Sequence, residues 1–328
     1  MAMKIEYVIC ELLPVTLLNR RVGKNPRISA LLKVAFEDGT IGFANLHPNP
    51  ERLGNTLEQE LQRLREGNPS LQGRLSLRMA KIDARARGQN KSLWSDVKIP
   101  PCHLLITEPE VTSIDDIHAA MERRFRKFKI KVGRNWKREI EILNEWAPLV
   151  PPGSLRPDWN QALDTKQLQE FCARAQPALI DAIDFVEDPT VDRPEVWSQY
   201  STKIRWAWDQ HSEKITKEDR GFSAVVVKPA IQDVDLMSLL LADLDVQVAF
   251  TSYMDHPVGQ MGAAWVAAKF YDDHPQKEIP CGLASHNIFA LNRYSECLRT
   301  KGPQLFAPEG AGIGFGELLE KENWKKLH

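Results

Sequence analysis

Residues 128–133 read FKIKVG, which places two lysines one residue apart in a short apolar run that ends in glycine. In a β-strand successive side chains point to opposite faces, so Lys129 and Lys131 share one face while the apolar residues share the other. Two ammonium groups side by side repel each other and resist burial. The face that holds them is therefore either wet surface or part of a site that requires positive charge.

The composition is typical of a soluble globular protein. The 328 residues are enough for one large domain or two ordinary ones, and 43% of them are hydrophobic. The 43 basic and 44 acidic residues nearly balance, so the overall charge favours neither a nucleic-acid nor a membrane partner. Five widely spaced cysteines without a CxxC pair are typical of reduced thiols. We therefore expect a cytoplasmic protein, with an oligomeric state that the sequence leaves open and a monomer among the options.

The first hundred residues predict an α+β domain. KIEYVICELL is typical of a strand, and ISALLKVAFEDGTIGFANL predicts two strands joined at the Asp38-Gly39 turn. TLEQELQRLREG and LSLRMAKIDARARG predict helices, each ended by a glycine suited to a C-cap. The Pro100-Pro101 pair then marks a boundary. We predict a capping domain over residues 1–100, completed by the C-terminal tail, residues 301–328.

Beyond residue 100, short β-rich runs alternate with segments of helical length. The runs are HLLIT, RKFKIKVG, LRPDWN, AIDFVEDP, KIRWAWDQ, AVVVKPA, VQVAFTSYMD and IPCGLASHN. This alternation predicts βα units around a parallel sheet. Eight units in about 200 residues lie near the lower limit for a closed barrel. The predicted fold class is α/β, a modified (β/α) TIM-type barrel over residues 101–300 with an N-terminal α+β capping domain.

Each central run carries ionisable residues at its C-terminal end. In chain order they are Lys129, Lys131, Asp158, Glu187, Asp209 and Lys228. From Lys131 onward the steps are 27, 29, 22 and 19 residues, each the length of one βα unit. The C-terminal ends of barrel strands meet at one rim, which is where active sites lie in such barrels. We therefore expect the six side chains to converge there.

The residue types indicate a reaction. Three converging carboxylates repel one another unless a cation joins them, and all-oxygen ligation favours Mg²⁺, so Asp158, Glu187 and Asp209 are candidate ligands. A lysine beside such an ion has a depressed pKa and becomes a competent general base. A metal with a lysine base suits removal of a proton α to a carboxylate, the metal holding the enediolate oxygens.

Taken singly, each motif has an ordinary structural explanation. A KxK on a strand is more often a solvated edge, EDP after an apolar run usually ends a strand in a turn, and Lys228 before Pro229 suits a strand end at the surface. Their joint occurrence, in order and at βα spacing, favours the site.

The same residues resemble the enolase superfamily and, within it, the muconate lactonizing subgroup. KIKVG resembles the KxK strand of that subgroup, RPDWN, DFVEDP and AWDQ its three metal strands, and VVVKPA the strand of the opposing lysine. A lysine base working beside Mg²⁺ is the known pattern of such sites. The N-terminal pattern resembles the family's capping domain, so the resemblance covers residues 1 to about 320.

Within the subgroup the chain is most similar to the o-succinylbenzoate synthase family, in its short and divergent bacterial type. The chain is compact, IPPCHLLIT resembles the segment that opens that barrel, and Arg156 stands two residues before Asp158. A dipeptide epimerase would be expected to carry Asp-x-Asp on the last strand, and CGLASHN has none.

The resemblance implies Mg²⁺-dependent syn dehydration of 2-succinyl-6-hydroxy-2,4-cyclohexadiene-1-carboxylate to o-succinylbenzoate, a step in menaquinone biosynthesis. Lys131 would take the α-proton and then protonate the departing hydroxyl. Lys228 would stabilise the enediolate by charge and by cation–π contact. The partner is then a small-molecule carboxylate. The other candidates would contact the substrate or stand behind residues that do: Lys129, Arg156, Asn160, Thr251 and Ser252.

Some positions leave the identity of the substrate undecided. The family's mobile loop falls near Arg20, Arg21 and Lys24, which either hold the succinyl carboxylate or are ordinary loop charges. Gln210 and His211 follow the third metal position where relatives often have Glu-Ser, and TSYMDHPVG replaces a segment that is usually serine-rich.

Two other functions also stay open. Racemisation of an N-acylamino acid, or epimerisation of a dipeptide, would use the same two lysines as acid and base on opposite faces. Residues 123–138, RRFRKFKIKVGRNWKR, hold nine basic residues interleaved with aromatics and so resemble a nucleic-acid-binding patch. Two observations argue against such a patch. The overall charge is balanced, and residues 123–138 run through a helix end, a strand and a loop, so their side chains would point in different directions.

Overall fold

The computed structural model describes residues 3–18, 23–48, 50, 54–200 and 202–327. Within them the chain forms a four-stranded antiparallel sheet, a seven-stranded sheet and a two-stranded sheet. The strands are β1 Lys4–Leu12, β2 Arg27–Ala35, β3 Ile41–Leu46, β4 Leu104–Ile106, β5 Phe128–Lys131, β6 Leu155–Asp158, β7 Val186–Glu187, β8 Trp206–Trp208, β9 Ala224–Val227, β10 Gln247–Phe250, β11 Arg299–Lys301, β12 Gln304–Phe306 and β13 Lys325–Lys326. The α-helices are Leu57–Arg65, Leu71–Gly88, Ile114–Glu122, Trp136–Trp146, Thr165–Arg174, Pro177–Ala182, Pro194–Tyr200, Val234–Asp243, Pro257–Asp273 and Gly316–Glu320.

The N-terminal sheet has the order β13-β1-β2-β3. Its hairpin turns at the Asp38-Gly39 step, where Gly39 adopts a φ of +81° that L side chains rarely reach. On its other edge β1 pairs with β13 from the end of the chain, Glu6 opposite Lys326. Residues 325–326 thus add a strand to the first sheet, and a capping domain over residues 1–100 and 301–328 stays a proposal.

The first two helices differ in how they end. The first has a capping box built on Thr56 and ends at Arg65 with Glu66 as its C-cap, and Gly67 then takes a left-handed φ of +70° as predicted. The prediction that Gly88 caps the second helix was wrong, because Gly88 is its last helical residue and the left-handed turn falls on Asn90, φ +52°. Asparagine tolerates this conformation because its short polar side chain can bond locally.

Strands β4 to β10 lie side by side in chain order, and all their pairings are parallel. The eighth predicted run closes the sheet through single bridges. Cys281 pairs with Cys102 ahead of β4, and Gly282 pairs with Thr251 after β10. The result is the predicted α/β fold, a modified (β/α) barrel beside an N-terminal cap.

The stretch FKIKVG forms β5 and the turn after it. Every residue of β5 is buried, and its register places Lys129 beside Arg156 and Lys131 beside Asp158 of β6. Gly133 ends the stretch with φ +98°, and a Cβ there would lie 2.4 Å from Cβ of Ala162. The glycine is required both by the backbone conformation and by this close approach.

Candidate active site

Three carboxylates come from three neighbouring strands at the C-terminal rim of the barrel. Asp158 is the last residue of β6, Glu187 is the last residue of β7 and pairs with it in register, and Asp209 directly follows β8. Their exposed fractions are 1%, 1% and 4%. Burying three negative charges is unfavourable unless cations balance them.

Three lysine ammonium groups supply that balance. Nζ of Lys129 lies 2.6 and 2.7 Å from the two oxygens of Glu187 and 2.8 Å from Oδ2 of Asp158. Nζ of Lys131 lies 2.5 Å from the same Asp158 oxygen. Lys228, which directly follows β9, forms an ion pair with Asp209. Lys131, Asp158, Lys129 and Glu187 therefore form one group in which ammonium and carboxylate alternate, and Lys228 and Asp209 form a pair at the same rim.

The charges of this cluster shift its pKa values in opposite directions. Burial alone would raise the pKa of Asp158, but the ammonium groups of Lys129 and Lys131 outweigh it and hold that pKa below its usual range. Burial and the neighbouring Asp158 raise the pKa of Glu187. Burial would lower the pKa of Lys129, but Asp158 and Glu187 outweigh it and raise the pKa. The chain's own charges thus favour the ammonium form of Lys129.

The donor set suits a hard divalent cation. Within the described ranges, no three carboxylate, imidazole or thiol groups already stand at metal-binding spacing, because lysine ammonium groups lie between the carboxylates. The backbone N–H and the Nδ2 of Asn160 both donate to Oδ1 of Asp158, at 3.0 and 2.7 Å. Oδ2 is left as the oxygen on which cations converge, and oxygen-only ligation from three carboxylates suits Mg²⁺.

A cavity of about 480 Å³ opens over this cluster. Lys129, Lys131, Lys228 and Asp209 line it, whereas Asp158 and Glu187 lie behind the lysines. Asn160, Thr251 and Ser252 also line it. The cavity is predominantly cationic and fits an anionic ligand.

Arg156 does not reach this cavity. Its side chain is fully buried, its Nε donates to Asp184 at 2.7 Å, and its Nη1 donates to the carbonyl of Pro280 at 2.5 Å and meets Nδ1 of His103 at 3.2 Å. The residue shares the inner face of β6 with Asp158 but extends away from the rim. It therefore supports the site from behind.

The capping domain contributes to the cavity through Arg27. This first residue of β2 lines the cavity together with Tyr253, and its guanidinium carbon lies 5.8 Å from the centre of the Tyr253 ring. Arg20 and Arg21, the predicted loop candidates, lie outside the described residues. Lys24 is exposed and is not among the residues that line the cavity.

Sequence reasoning missed Asp188, the residue after the second carboxylate. It is 1% exposed and accepts hydrogen bonds from the backbone N–H groups of Asp209, at 3.0 Å, and Gln210, at 2.7 Å. Burial and the adjacent Glu187 raise its pKa to about 8. The signal was present in the EDP triplet, in which a second acidic residue follows the ligand position.

The basic run of residues 123–138 does not form one continuous surface. Lys129 and Lys131 are buried in the barrel. Among the outer members, Arg134 donates to the carbonyl of Thr107 and Arg138 pairs with glutamates of its own helix. The charges of this run therefore point in different directions, as predicted. No helix in the described part of the chain is long and apolar enough to cross a membrane.

Comparisons with known proteins find relatives in both sequence and fold. Residues 5–86 match the family model described as O-succinylbenzoate synthase, N-terminal domain. The o-succinylbenzoate synthase of Bdellovibrio bacteriovorus is 29% identical over 327 residues, which cover 99% of this chain and 98% of that protein.

Solved structures share the fold. The L-Ala-D/L-Glu epimerase of Bacillus subtilis superposes with a TM-score of 0.76 at 14% identity, covering 95% of this chain and 97% of that one. A dipeptide epimerase of Enterococcus faecalis, complexed with Mg and the dipeptide L-Leu-L-Tyr, gives 0.74 at 17% identity, covering 96% and 99%.

These relatives agree with the resemblance to the enolase superfamily, a family of enzymes: the sequence matches are to o-succinylbenzoate synthases, and the solved structures share the fold. A sequence similarity that extends over nearly the whole chain is to an o-succinylbenzoate synthase.

Proposed function

We propose that this chain is a carbon–oxygen lyase, an o-succinylbenzoate synthase that dehydrates 2-succinyl-6-hydroxy-2,4-cyclohexadiene-1-carboxylate to o-succinylbenzoate in menaquinone biosynthesis. One observation carries the proposal. Lys131 and Lys228 line the same cavity, and their strands are four positions apart in the barrel order, which is half a turn of an eight-membered ring. A substrate between them has one lysine on each face. The similarity to the synthase of Bdellovibrio bacteriovorus supports the choice of reaction.

Lys131 is the proposed general base and acid. In its neutral form Nζ takes the proton α to the ring carboxylate. The C–O bond to the hydroxyl then breaks, and the same Nζ returns the proton so that water leaves from the same face. One group can serve both steps because a syn elimination places the proton and the hydroxyl on one side. The products are water and an aromatic ring, and no oxidant or reductant is consumed.

The remaining charged residues would bind the metal ion or stabilise negative charge on the substrate. Asp158, Glu187 and Asp209 would hold Mg²⁺, which when bound would supply positive charge to the ring carboxylate oxygens. Lys228 stays protonated and stabilises negative charge that develops on the substrate.

Other residues support these groups or line the cavity. Lys129 offsets the charge of Glu187 and Asp158, with which it forms hydrogen bonds and ion pairs. Asn160 orients Asp158 through its two hydrogen bonds. Thr251 and Ser252 lie on the cavity wall, where they can contact the succinyl chain.

The test is aromatisation of the cyclohexadiene by the purified chain. We expect absorbance of the diene to be lost when Mg²⁺ is present, no reaction after chelation, and recovery when Mg²⁺ is returned. An intact protein that binds Mg²⁺ yet leaves the diene unchanged would exclude the synthase assignment.

A second function has a specific observation in its favour. Lysines on both faces are the requirement for racemising an N-acylamino acid or epimerising a dipeptide, and dipeptide epimerases share this fold. The discriminating measurement is exchange of the α-proton in D₂O. A racemase exchanges the α-proton of an N-acylamino acid, and an epimerase that of a dipeptide. A synthase without either activity exchanges neither at a comparable rate.

A further inference from the structure

His103 lies on the floor of the active-site cavity. It directly precedes β4, lines the cavity and is 7% exposed. Its backbone N–H donates to the carbonyl of Cys281 at 2.9 Å, which places it beside the segment that closes the barrel. No role for His103 follows from the rim motifs, because it belongs to none of them.

The hydrogen bond from Arg156 fixes the tautomer of His103. Nη1 of Arg156 lies 3.2 Å from Nδ1 of His103. A guanidinium can only donate, so Nδ1 must be the acceptor and the ring proton must sit on Nε2. The ring is also kept neutral: burial, and then the charges of Arg156, Lys129 and Lys131, lower the pKa of His103 well below its usual value.

The Nε2 edge of the ring lies next to a glycine. A Cβ added to Gly282 would lie 3.0 Å from Nε2 of His103 and 2.7 Å from Cγ2 of Thr251. Both residues line the cavity with Gly282, so the missing side chain leaves this corner of the floor open. The side-chain hydrogen bond of His103 described above joins its Nδ1 to Arg156, and the buried hydroxyl of Thr251 has no partner within the described residues. An Nε2–H at this open corner of the cavity can donate to a ligand that supplies an oxygen.

We propose that His103 binds the substrate by donating its Nε2–H to a substrate oxygen on the cavity floor, and that Arg156 is the positioning residue that sets this tautomer. The inference deepens the proposed function and rests on it for the identity of the ligand. A neutral donor held in this way selects an oxygen acceptor over an ammonium group. It thereby adds a specificity element for carboxylate or carbonyl oxygens, beside the charge of the lysines.

The test combines ring NMR with two substitutions. In enzyme labelled with ¹⁵N-histidine, the His103 signals are assigned by their loss in His103→Gln, and their nitrogen shifts report the tautomer. We expect neutral Nε2–H, with the Nε2 proton moving when o-succinylbenzoate is titrated in the presence of Mg²⁺. The same titration is run with N-acetylphenylalanine, a carboxylate for the alternative reaction.

The substitutions separate donation from packing. His103→Phe keeps the ring volume and removes the donor, so we expect kcat/KM to fall about 10- to 100-fold, the usual effect of losing a hydrogen bond to a charged group. His103→Gln keeps a donor near the position of Nε2 and should recover most of that loss. His256→Asn, a change at an equally buried histidine outside the cavity lining, is the matched control and should leave kcat/KM unchanged.

The outcomes distinguish the two proposals. An Nδ1–H tautomer, equal losses in the Phe and Gln variants, or His103 signals that respond to neither carboxylate would overturn the role of His103. Signals that respond to N-acetylphenylalanine in an enzyme that never aromatises the diene would support that role and reject the synthase assignment.

Discussion

Lys131 donates to Oδ2 of Asp158 on the neighbouring strand, with the two atoms 2.5 Å apart. The same oxygen forms an ion pair with Nζ of Lys129 at 2.8 Å. The proposed base and the proposed first metal ligand are therefore in direct contact in the chain alone. A cation bound by Asp158 would compete with both lysines for Oδ2. Metal binding would therefore change the contact between Lys131, the proposed base, and Asp158.

Asp158→Asn should weaken both metal binding and the fold. The change removes the carboxylate that Lys131 contacts and one of two that Lys129 contacts, leaving buried positive charge. Losing one partner of a buried pair typically costs about 3–5 kcal/mol of the free energy of unfolding. Chemical denaturation measures this cost, and calorimetric titration measures the loss of Mg²⁺ affinity.

The matched control is Asp243→Asn, which removes a carboxylate from an exposed ion pair with Lys217. Exposed pairs contribute little, so this variant should unfold like the wild type. Equal stability of the Asp158 and Asp243 variants would show that the buried cluster does not depend on its charge pairing.

Lys228→Ala should reduce turnover without abolishing proton abstraction. In the proposed synthase, Lys228 supplies charge and does not move the proton, and loss of one such electrostatic group usually lowers kcat about 10²- to 10³-fold. Steady-state kinetics with the cyclohexadiene measure the change. A Lys228→Ala enzyme as inactive as Lys131→Ala would instead indicate a two-base reaction.

Gly133→Ala should destabilise the chain more than Gly39→Ala does. Both glycines have positive φ, at +98° and +81°, but a Cβ at residue 133 would also approach Ala162 to 2.4 Å, whereas none lies within 4 Å at residue 39. The left-handed backbone costs about 1–2 kcal/mol in each variant, and overpacking adds about 1–3 kcal/mol at residue 133 alone. Denaturation midpoints of the two variants compare the costs. Equal midpoints would contradict the packing of the β5 turn against Ala162.

Asp255→Asn should stabilise the chain increasingly between pH 4 and pH 7. Burial raises the pKa of Asp255 from 3.8 to about 7. Below pH 4 the residue is protonated whether the chain is folded or unfolded, and it has no effect. As pH rises, the unfolded chain releases this proton first, so the folded state is increasingly disfavoured up to about pH 7. The penalty then reaches about 4 kcal/mol, at about 1.4 kcal/mol for each pKa unit.

Thermal unfolding across this pH range measures the effect of Asp255. The difference in Tm between the variant and the wild type should widen from pH 4 to pH 7 and then stay level, while Asp243→Asn shows no such widening. A constant difference would mean that Asp255 is not protonated in the folded chain.

The rim residues could be predicted because two regular periods determine where they lie. Alternation along a strand puts Lys129 and Lys131 on one face, and βα spacing brings Asp158 and Glu187 to the same rim. These periods determine the face on which a side chain starts but not where the end of a long side chain lies. Arg156 extends away from the rim to Asp184 because of the packing below the cavity. His103 carried no signal beyond its place two residues before Leu105 on the same face. Its role depends on Arg156 and Gly282, which are remote in sequence.

The most direct test of the account is the rate of aromatisation by wild type and by Lys131→Ala, each saturated with Mg²⁺ and checked for intact folding. The account predicts rapid conversion of the cyclohexadiene by the wild type and none above the uncatalysed rate in the variant. Conversion by the variant at near wild-type rate would contradict the assignment of Lys131 as the base.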